Sequence, residues 1–391
     1  MRILHVSHTS LVSGAEHSLL DLMAGLDALA DVRLAAPRGD LLDRTQRLGI
    51  ATTPMRDVDL TFKIDLRTNA RAARSAAAAA RTLSTELRRG RHDVVHVNSV
   101  RATLFCGPVA RAHRVPVVMH VRDVVPDGAL GRAVRHATAR LATRIAANSV
   151  HVADAYCDGL GSGLASRVRV IDNPVDFARF VVRTPQTRHD ARVELGIADD
   201  RPVLAVVGQI TSWKGHDIAV RALAAVRAHH PEAILLVAGE VKFASAATTL
   251  DNMTFRRDLD HLAAELGMPI GAVRFLGERD DVPRILAATD LLLAPSTVEP
   301  FGRSVAEAMA VGVPVLATRN GGPPEFVEHD RTGWLLDPHD APAWCSRAVD
   351  LLDDRSRLVA AGLAAAAAVR GRFSSDRHAT AMLELFEEAR G

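Results

Sequence analysis

The stretch Asp290-Leu-Leu-Leu-Ala-Pro-Ser-Thr-Val-Glu299-Pro-Phe-Gly-Arg-Ser-Val-Ala-Glu307-Ala-Met-Ala-Val-Gly-Val-Pro-Val315 decides how this chain is read. Three leucines lead into Ala294-Pro295, an apolar run of strand length that a proline stops. A loop follows, and a helix is predicted from near Ser304 to Gly312, where glycine ends it. Strand, loop, helix is the repeating unit of a parallel sheet covered by helices, and such sheets bind ligands at the carboxyl ends of their strands. Glu299 falls in that loop and Glu307 in the first turn expected of the helix. The free N–H groups at the helix start suit a phosphate. Ser304-x-x-Glu307 also has capping-box spacing, so helix cap and ligand contact both stay open for Glu307. Glu299, beside Pro300, has no comparable local role.

The same alternation runs outward in both directions. Strands are expected at residues 3–7, 32–35, 94–98, 117–121, 144–148 and 168–171, and then at 203–207, 233–238, 273–276, 291–295 and 315–318. Helical stretches such as Ala15–Leu29 and Arg67–Arg89 fill the intervals. A polar stretch near 174–200, with Pro174, Pro185 and Pro202, separates the two series. Length agrees, because 391 residues exceed what one hydrophobic core serves. The reading is α/β, with two doubly wound parallel-sheet domains facing a central cleft.

Composition narrows the class. At 48% hydrophobic and 24% charged, the chain has an ordinary globular make-up that excludes disorder. No apolar run reaches membrane-helix length, and the first residues lack a signal-peptide core. Three scattered cysteines, Cys106, Cys157 and Cys345, make neither a disulfide framework nor a metal cluster, which points to a reducing cytoplasm. Residues 1–176 carry 24 Lys+Arg against 17 Asp+Glu, whereas the remainder carries 24 against 29. The two halves therefore face different partners. Lysine is almost absent, Lys63, Lys214 and Lys242 being all there are.

Two further loops follow first strands. His8-Thr-Ser-Leu-Val-Ser-Gly14-Ala-Glu16 opens a helix with a small turn that could hold a phosphate or simply be capped by Ser13. It lacks the G-x-G-x-x-G fingerprint of nicotinamide binding. In the second domain Gly208-Gln-Ile-Thr-Ser-Trp-Lys214-Gly215 places a lysine where it can meet a phosphate, or remain a solvated surface lysine. Asp57-Val-Asp59 has the form of a metal triplet but belongs to neither series of loops and reads as chance. No histidine pair, His5, His8 and His17 included, has convincing zinc spacing.

The Glu299/Glu307 spacing, Gly208…Lys214-Gly215, Val170-Ile-Asp-Asn-Pro-Val-Asp176 and Gly321-Gly-Pro-Pro-Glu325 together resemble the retaining glycosyltransferases of family 4, the glycosyl transferases group 1. In the first domain the match rests on Gly14 and on His120-Val-Arg-Asp123. The resemblance implies the GT-B fold of two Rossmann-like domains: an acceptor domain over 1–176, a nucleotide-sugar domain over 177–372, and a helix over 373–391 that crosses back to the first. It implies that Glu307 holds the ribose of a nucleotide-diphosphate sugar, UDP- or GDP-linked, and that Glu299 contacts the donor sugar near its reacting carbon. Lys214 would stabilise the departing diphosphate, and His120 would sit beside the sugar. Backbone around Gly14, Gly208 and the run Gly302, Arg303, Ser304 and Val305 would cradle phosphate and sugar. Where many members carry an arginine after the glycine matched to Gly208, this chain has Gln209, and Arg303 is one candidate to replace the missing charge, an exposed arginine being the other reading.

The implied reaction is metal-independent, retaining, front-face transfer to a small-molecule, lipid-linked or glycan acceptor, with no cofactor beyond the donor. Rival readings are a nucleotide-sugar epimerase, a phosphorylase, or a non-catalytic sugar-nucleotide-binding subunit. Arg67, Arg71, Arg74, Arg81 and Arg88 share one helical face, and Arg132, Arg135, Arg140 and Arg144 repeat the bias. This is either a solvated basic surface or a face for a phosphorylated acceptor or an anionic membrane. The latter would place the protein peripherally at the inner membrane face. Aromatic residues are only 4%, which argues against nucleic acid.

Overall fold

Short apolar runs become parallel strands throughout the computed structural model, which describes residues 1–58, 66–242 and 246–391, with side chains except at 66–72 and 246–250. The chain divides into two units, Met1–Pro174 joined by Ser375–Gly391, and Val175–Ser374. In the first, β1 (Arg2–Val6), β2 (Asp31–Pro37), β3 (Ala51–Met55), β4 (Val94–Val97), β5 (Val117–Val121), β6 (Arg144–Ala147) and β7 (Val168–Val170) form one sheet in the order 3-2-1-4-5-6-7. In the second, β8 (Val203–Val207), β9 (Ile234–Ala238), β10 (Val273–Gly277), β11 (Leu291–Ala294), β12 (Val315–Thr318) and β13 (Trp334–Leu336) form another in the order 10-9-8-11-12-13. Every neighbouring pair is parallel.

Two strands, β3 and β13, were not expected. Each is the last strand of its sheet and pairs on one side only. An edge position tolerates Pro54 in β3, and β13, at three residues, is too short to show a period. Central strands such as β4, β5 and β9 are buried along their whole length, which is why they read as apolar runs, broken only by His96 in β4 and His120 in β5.

Strand order reverses between β1 and β4 in one sheet and between β8 and β11 in the other. At these reversals the loops leaving adjacent strands turn apart and leave a crevice at the carboxyl edge. The second reversal is locked from below. The Asp290 carboxylate, at the entry to β11, accepts hydrogen bonds from the Val203 N–H at 2.9 Å, Arg192 at 2.7 Å and Arg188 at 2.9 Å.

The last helix, Ser375–Arg390, packs on the first unit through Ala379, Met382, Leu385, Phe386 and Ala389. Beneath it lies a cluster of buried histidines. His5 Nδ1 and His96 Nδ1 are 2.9 Å apart, both rings meet Phe386 edge-on, and His120 stacks on His378 with centroids 6.2 Å apart. His120 is 0% exposed, and neither ring nitrogen has a hydrogen-bond partner among the described residues.

Burial, then the Arg122 charge, lowers the His5 pKa to about 3; desolvation first, and then Arg122 and the neighbouring histidines, hold His96 and His120 well below 6.5. These rings stay neutral in the folded chain, whereas the unfolded chain takes up protons below about pH 6.5. Stability should therefore fall as pH drops through about 6.5, by about 1.4 kcal/mol per pH unit for each such histidine. His120→Leu should leave stability near pH 7 unchanged or higher and make the acid slope shallower by one such increment. Urea midpoints between pH 7 and pH 5, followed by hydrogen exchange of peptides from β4 and β5, decide this; an unchanged slope would sink the assignment.

Candidate active site

Glu299 and Lys214 come from loops leaving adjacent strands. After β8 the chain passes Gly208 and Gln209, makes a 3-10 turn at Ser212–Lys214, and enters the helix His216–His229 through Gly215. Gly215 has φ +69°, and a Cβ there would stand 2.2 Å from the Pro295 carbonyl oxygen, so only glycine lets this loop close on the loop after β11. The Thr297 N–H donates to the Trp213 carbonyl at 2.8 Å, joining the two loops again.

The Glu299 loop rests on a third segment. Its backbone N–H donates to the Asn320 carbonyl at 3.1 Å, and its carbonyl accepts from the Gly322 N–H at 2.8 Å. A Cβ on Gly321 would lie 2.0 Å from the Glu299 carbonyl oxygen. The Gly321-Gly322 motif is thus the seat of the Glu299 backbone. Phe301, Phe326 and Phe373 pack below it with centroids 5.2–5.5 Å apart.

On this seat the Lys214 ammonium donates to Glu299 Oε2 at 2.6 Å, and Ser296 Oγ donates to the same oxygen at 2.9 Å. The ammonium also lies 4.4 Å from the centre of the Trp213 ring. Glu299 is 8% exposed and the Lys214 side chain 17%, so the pair is shielded, and charge-assisted bonds of this kind are the strong ones. Lys214 is therefore not the solvated surface lysine that lysine usually is.

Glu307 corrects one expectation. The helix is Arg303–Val311, with Gly302 as its N-cap at φ +96°, so Ser304 already lies inside the first turn and no Ser304–Glu307 capping box forms. Glu307 instead accepts from Arg303 Nε at 2.6 Å, one turn apart, with both side chains largely buried. Arg303 is accordingly no free surface arginine. The first-turn amides of Ser304 and Val305 lie at a helix start, where intrahelical acceptors are missing. Gln209 is half-buried, and its side chain has no hydrogen-bond partner among the described residues.

In the N-terminal unit, Gly14 starts the helix Gly14–Leu26, and Ser13 stands at its N-cap, with both its N–H and its hydroxyl bound to the Glu16 carboxylate. A Cβ on Gly14 would meet nothing within 4 Å, so packing does not require glycine there. His8 Nδ1 and Ser99 Oγ, 3.1 Å apart, join the loops after β1 and β4 across the reversal. His120 is the second correction. It shares the face of Val118 on β5, which the C-terminal helix covers, and it presents no surface to a sugar. The polar side chain at that strand end is Arg122, two residues on. Its Nε donates to Asn98 at 2.8 Å and its Nη1 to Asn173 at 2.7 Å. Asn173 belongs to the Asp172-Asn-Pro motif, and Arg122 lies within the His120-Val-Arg-Asp123 motif, so the sequence marked the segment but not which of its residues reaches the strand end. Asp59 of the Asp57-Val-Asp59 triplet, Lys63, and the side chains of Arg67 and Arg71 lie outside the described residues.

These two units have known counterparts. The model for Glycosyltransferase Family 4 matches residues 12–179, and that for Glycosyl transferases group 1 matches residues 187–367. A D-inositol 3-phosphate glycosyltransferase of Salinispora arenicola is 35% identical over 57% of this chain and 50% of its own length. A GDP-mannose-dependent monoacylated alpha-(1-6)-phosphatidylinositol monomannoside mannosyltransferase of Corynebacterium glutamicum is 34% identical over 51% of each. The chain spans about half the length of these curated relatives. Anabaena HepE, solved in complex with UDP-glucose, superposes with a TM-score of 0.84 over 99% of both chains at 23% identity, a likeness of fold. The N-terminal unit thus carries the pattern of Glycosyltransferase Family 4 and the C-terminal unit that of the glycosyl transferases group 1, and the fold over the whole length is GT-B.

Proposed function

We propose that this chain transfers a sugar from a nucleotide-diphosphate sugar to an acceptor nucleophile, with retention and without a metal ion. The observation that carries the reading is the Lys214–Glu299 pair, held by two loops at the carboxyl edge where the second sheet reverses. In front-face transfer the bond from the anomeric carbon to the diphosphate breaks while the acceptor oxygen bonds on the same face. A departing phosphate oxygen takes the acceptor's proton. Negative charge then grows on the diphosphate, and Lys214 is the preorganised cation that meets it. Its bond to Glu299 orients the ammonium beforehand; an arriving diphosphate shares it and leaves Glu299, still held by Ser296, to bind donor-sugar hydroxyls.

Glu307, steadied by Arg303, takes the ribose hydroxyls. Arg303 remains the candidate to supply the charge that Gln209 lacks, acting from beside Glu307 rather than as a separate side chain in solvent. The amides of Gly302 to Val305 bind phosphate at a helix start. The bare backbone at Gly14, and at Gly208, where an added Cβ would touch only the Lys214 stem at 3.8 Å, leaves room for close approach.

The acceptor is a small molecule, a lipid-linked compound or a glycan. A phosphorylated acceptor suits the basic N-terminal unit, and the two relatives are named for inositol phosphate and phosphatidylinositol mannoside acceptors. No helix among the described residues is long and apolar enough to cross a membrane, and a cytoplasmic enzyme, resting peripherally on an anionic inner membrane face, fits this reading.

Removing a charge-stabilising group of this kind costs about 2–4 kcal/mol at the transition state, so Lys214→Ala should lose at least roughly thirtyfold in kcat/KM. Glu299→Gln should lower kcat more than it raises the donor KM, and Glu307→Gln should act mainly on donor binding. Wild-type turnover in Glu299→Gln would overturn its placement at the reacting carbon. The first step is a thermal-shift screen of UDP- and GDP-sugars, since a ligand of the folded state raises Tm. Nucleotide release with and without acceptor then separates transfer from epimerisation.

Activity should survive EDTA. Loss of activity that Mg²⁺ restores would show that the diphosphate needs a metal partner besides Lys214.

A further inference from the structure

The N-terminal unit carries a second polar concavity, at the opposite edge of its sheet from the loops described above. It is a groove of about 490 Å³ between the segments entering β5, β6 and β7 and the end of the C-terminal helix. Six arginines line it, Arg111, Arg114, Arg140, Arg144, Arg167 and Arg390, and no aspartate or glutamate does. Its size is that of a small-ligand pocket. Val115, Pro116, Leu141 and Ala142 complete an apolar floor.

Structural reasons for the arginines do not exhaust the charge. Arg111 and Arg140 lie in the last turns of helices, where a cation offsets about half a negative charge per helix end. Arg144 faces Glu388 at 3.5 Å, but that carboxylate is shared with Arg169. Arg390 faces Asp93 at 3.8 Å. Arg167 donates to the Ala142 carbonyl at 3.0 Å, which leaves its charge unmatched. Among the described residues, Arg111, Arg114, Arg140 and Arg167 have no carboxylate within ion-pair distance. Six cations against two carboxylates and two helix ends leave a positive surplus concentrated in one concavity. Planar guanidinium groups pair with phosphate through two parallel N–H bonds, so phosphate is the anion this lining fits.

We propose that this groove binds a soluble, phosphate-dense small molecule, one carrying at least two closely spaced phosphate groups, with the remainder of the molecule on the apolar floor. The assignment is independent of glycosyl transfer, because the groove lies at the amino edge of the sheet, where donor and acceptor chemistry has no part. An occupant would bridge Arg390 to the entries of β5, β6 and β7, and so hold the end of the last helix against the sheet. The site is thus a control point on that helix's docking.

Isothermal titration of the full chain with inorganic tripolyphosphate at low salt tests this, with orthophosphate as the single-phosphate comparator. Arg111→Gln/Arg140→Gln is the groove variant; both side chains are exposed, so the fold should be retained. Arg81→Gln/Arg88→Gln, on the helix Leu66–Gly90, removes the same charge elsewhere. The expected result is saturable binding of tripolyphosphate, tighter than orthophosphate and weakened by salt. It should fall at least roughly tenfold in the groove variant and stay unchanged in the other. Hydrogen exchange of residues 375–390 should slow when tripolyphosphate is bound. Absence of saturable binding, equal binding by the two variants, or unchanged exchange in that helix would each overturn the proposal. So would tripolyphosphate failing to bind while phosphatidylglycerol vesicles bind through the same arginines, since a membrane surface would then be the occupant.

Discussion

Adjacency of β8 and β11 is the constraint on which the rest of the C-terminal unit depends. These strands are far apart in sequence, and the loops that leave them bring Lys214 and Glu299 together across 85 residues. At the entry edge, Asp290 ties the start of β11 to β8 through the Val203 N–H and to Arg192. At the exit edge, glycines let three loops lie backbone to backbone. Neither end has slack. A one-residue slip between β8 and β11 would turn every side chain to the opposite face and part the ion pair.

Such a site is made of charges that already satisfy one another. Glu299 is held by Lys214 and Ser296, and Glu307 by Arg303. A shielded carboxylate or ammonium left alone would cost several kcal/mol, so these pairings are what let the shielded charges persist. The same pairings set the terms on which a ligand enters. It must offer Lys214 an anion at least as good as Glu299 and offer Glu307 donors that compete with Arg303. On the proposed reading, a diphosphate flanked by two sets of hydroxyls meets both conditions, whereas a neutral sugar offers hydroxyl donors but no anion for Lys214.

The N-terminal unit treats charge differently at its two edges. At the carboxyl edge, Arg122 is buried and held by Asn98 and Asn173, and its field helps to keep the histidines beneath it neutral. At the amino edge, arginines crowd a groove without acidic partners in its lining. The basic balance of residues 1–176 is therefore not one uniform face. Part of it is internal structure, and part is a concavity.

Much of this was legible in the chain itself. Apolar runs located eleven of the strands, because strands covered on both faces are mainly apolar, and the turn glycines marked where loops close. Glu299, Glu307 and Lys214 stood out by position and residue type, and the Gly321-Gly322 pair through the family resemblance. What local pattern could not supply was the identity of a neighbour. Alternation places His120 on the face of Val118, but only the packing of a helix some 250 residues later shows that this face is sealed, with His378 against the ring. Ser304-x-x-Glu307 has the spacing of a cap, yet the helix takes Gly302 as its N-cap, two residues too early for it, and Arg303 takes the carboxylate. The edge strands β3 and β13 were missed because Pro54 interrupts the first, as only an edge allows, and the second is three residues long. Sequence periodicity specifies faces within about a turn or a strand's length; which face meets which, and therefore which charges pair, is decided by long-range packing alone.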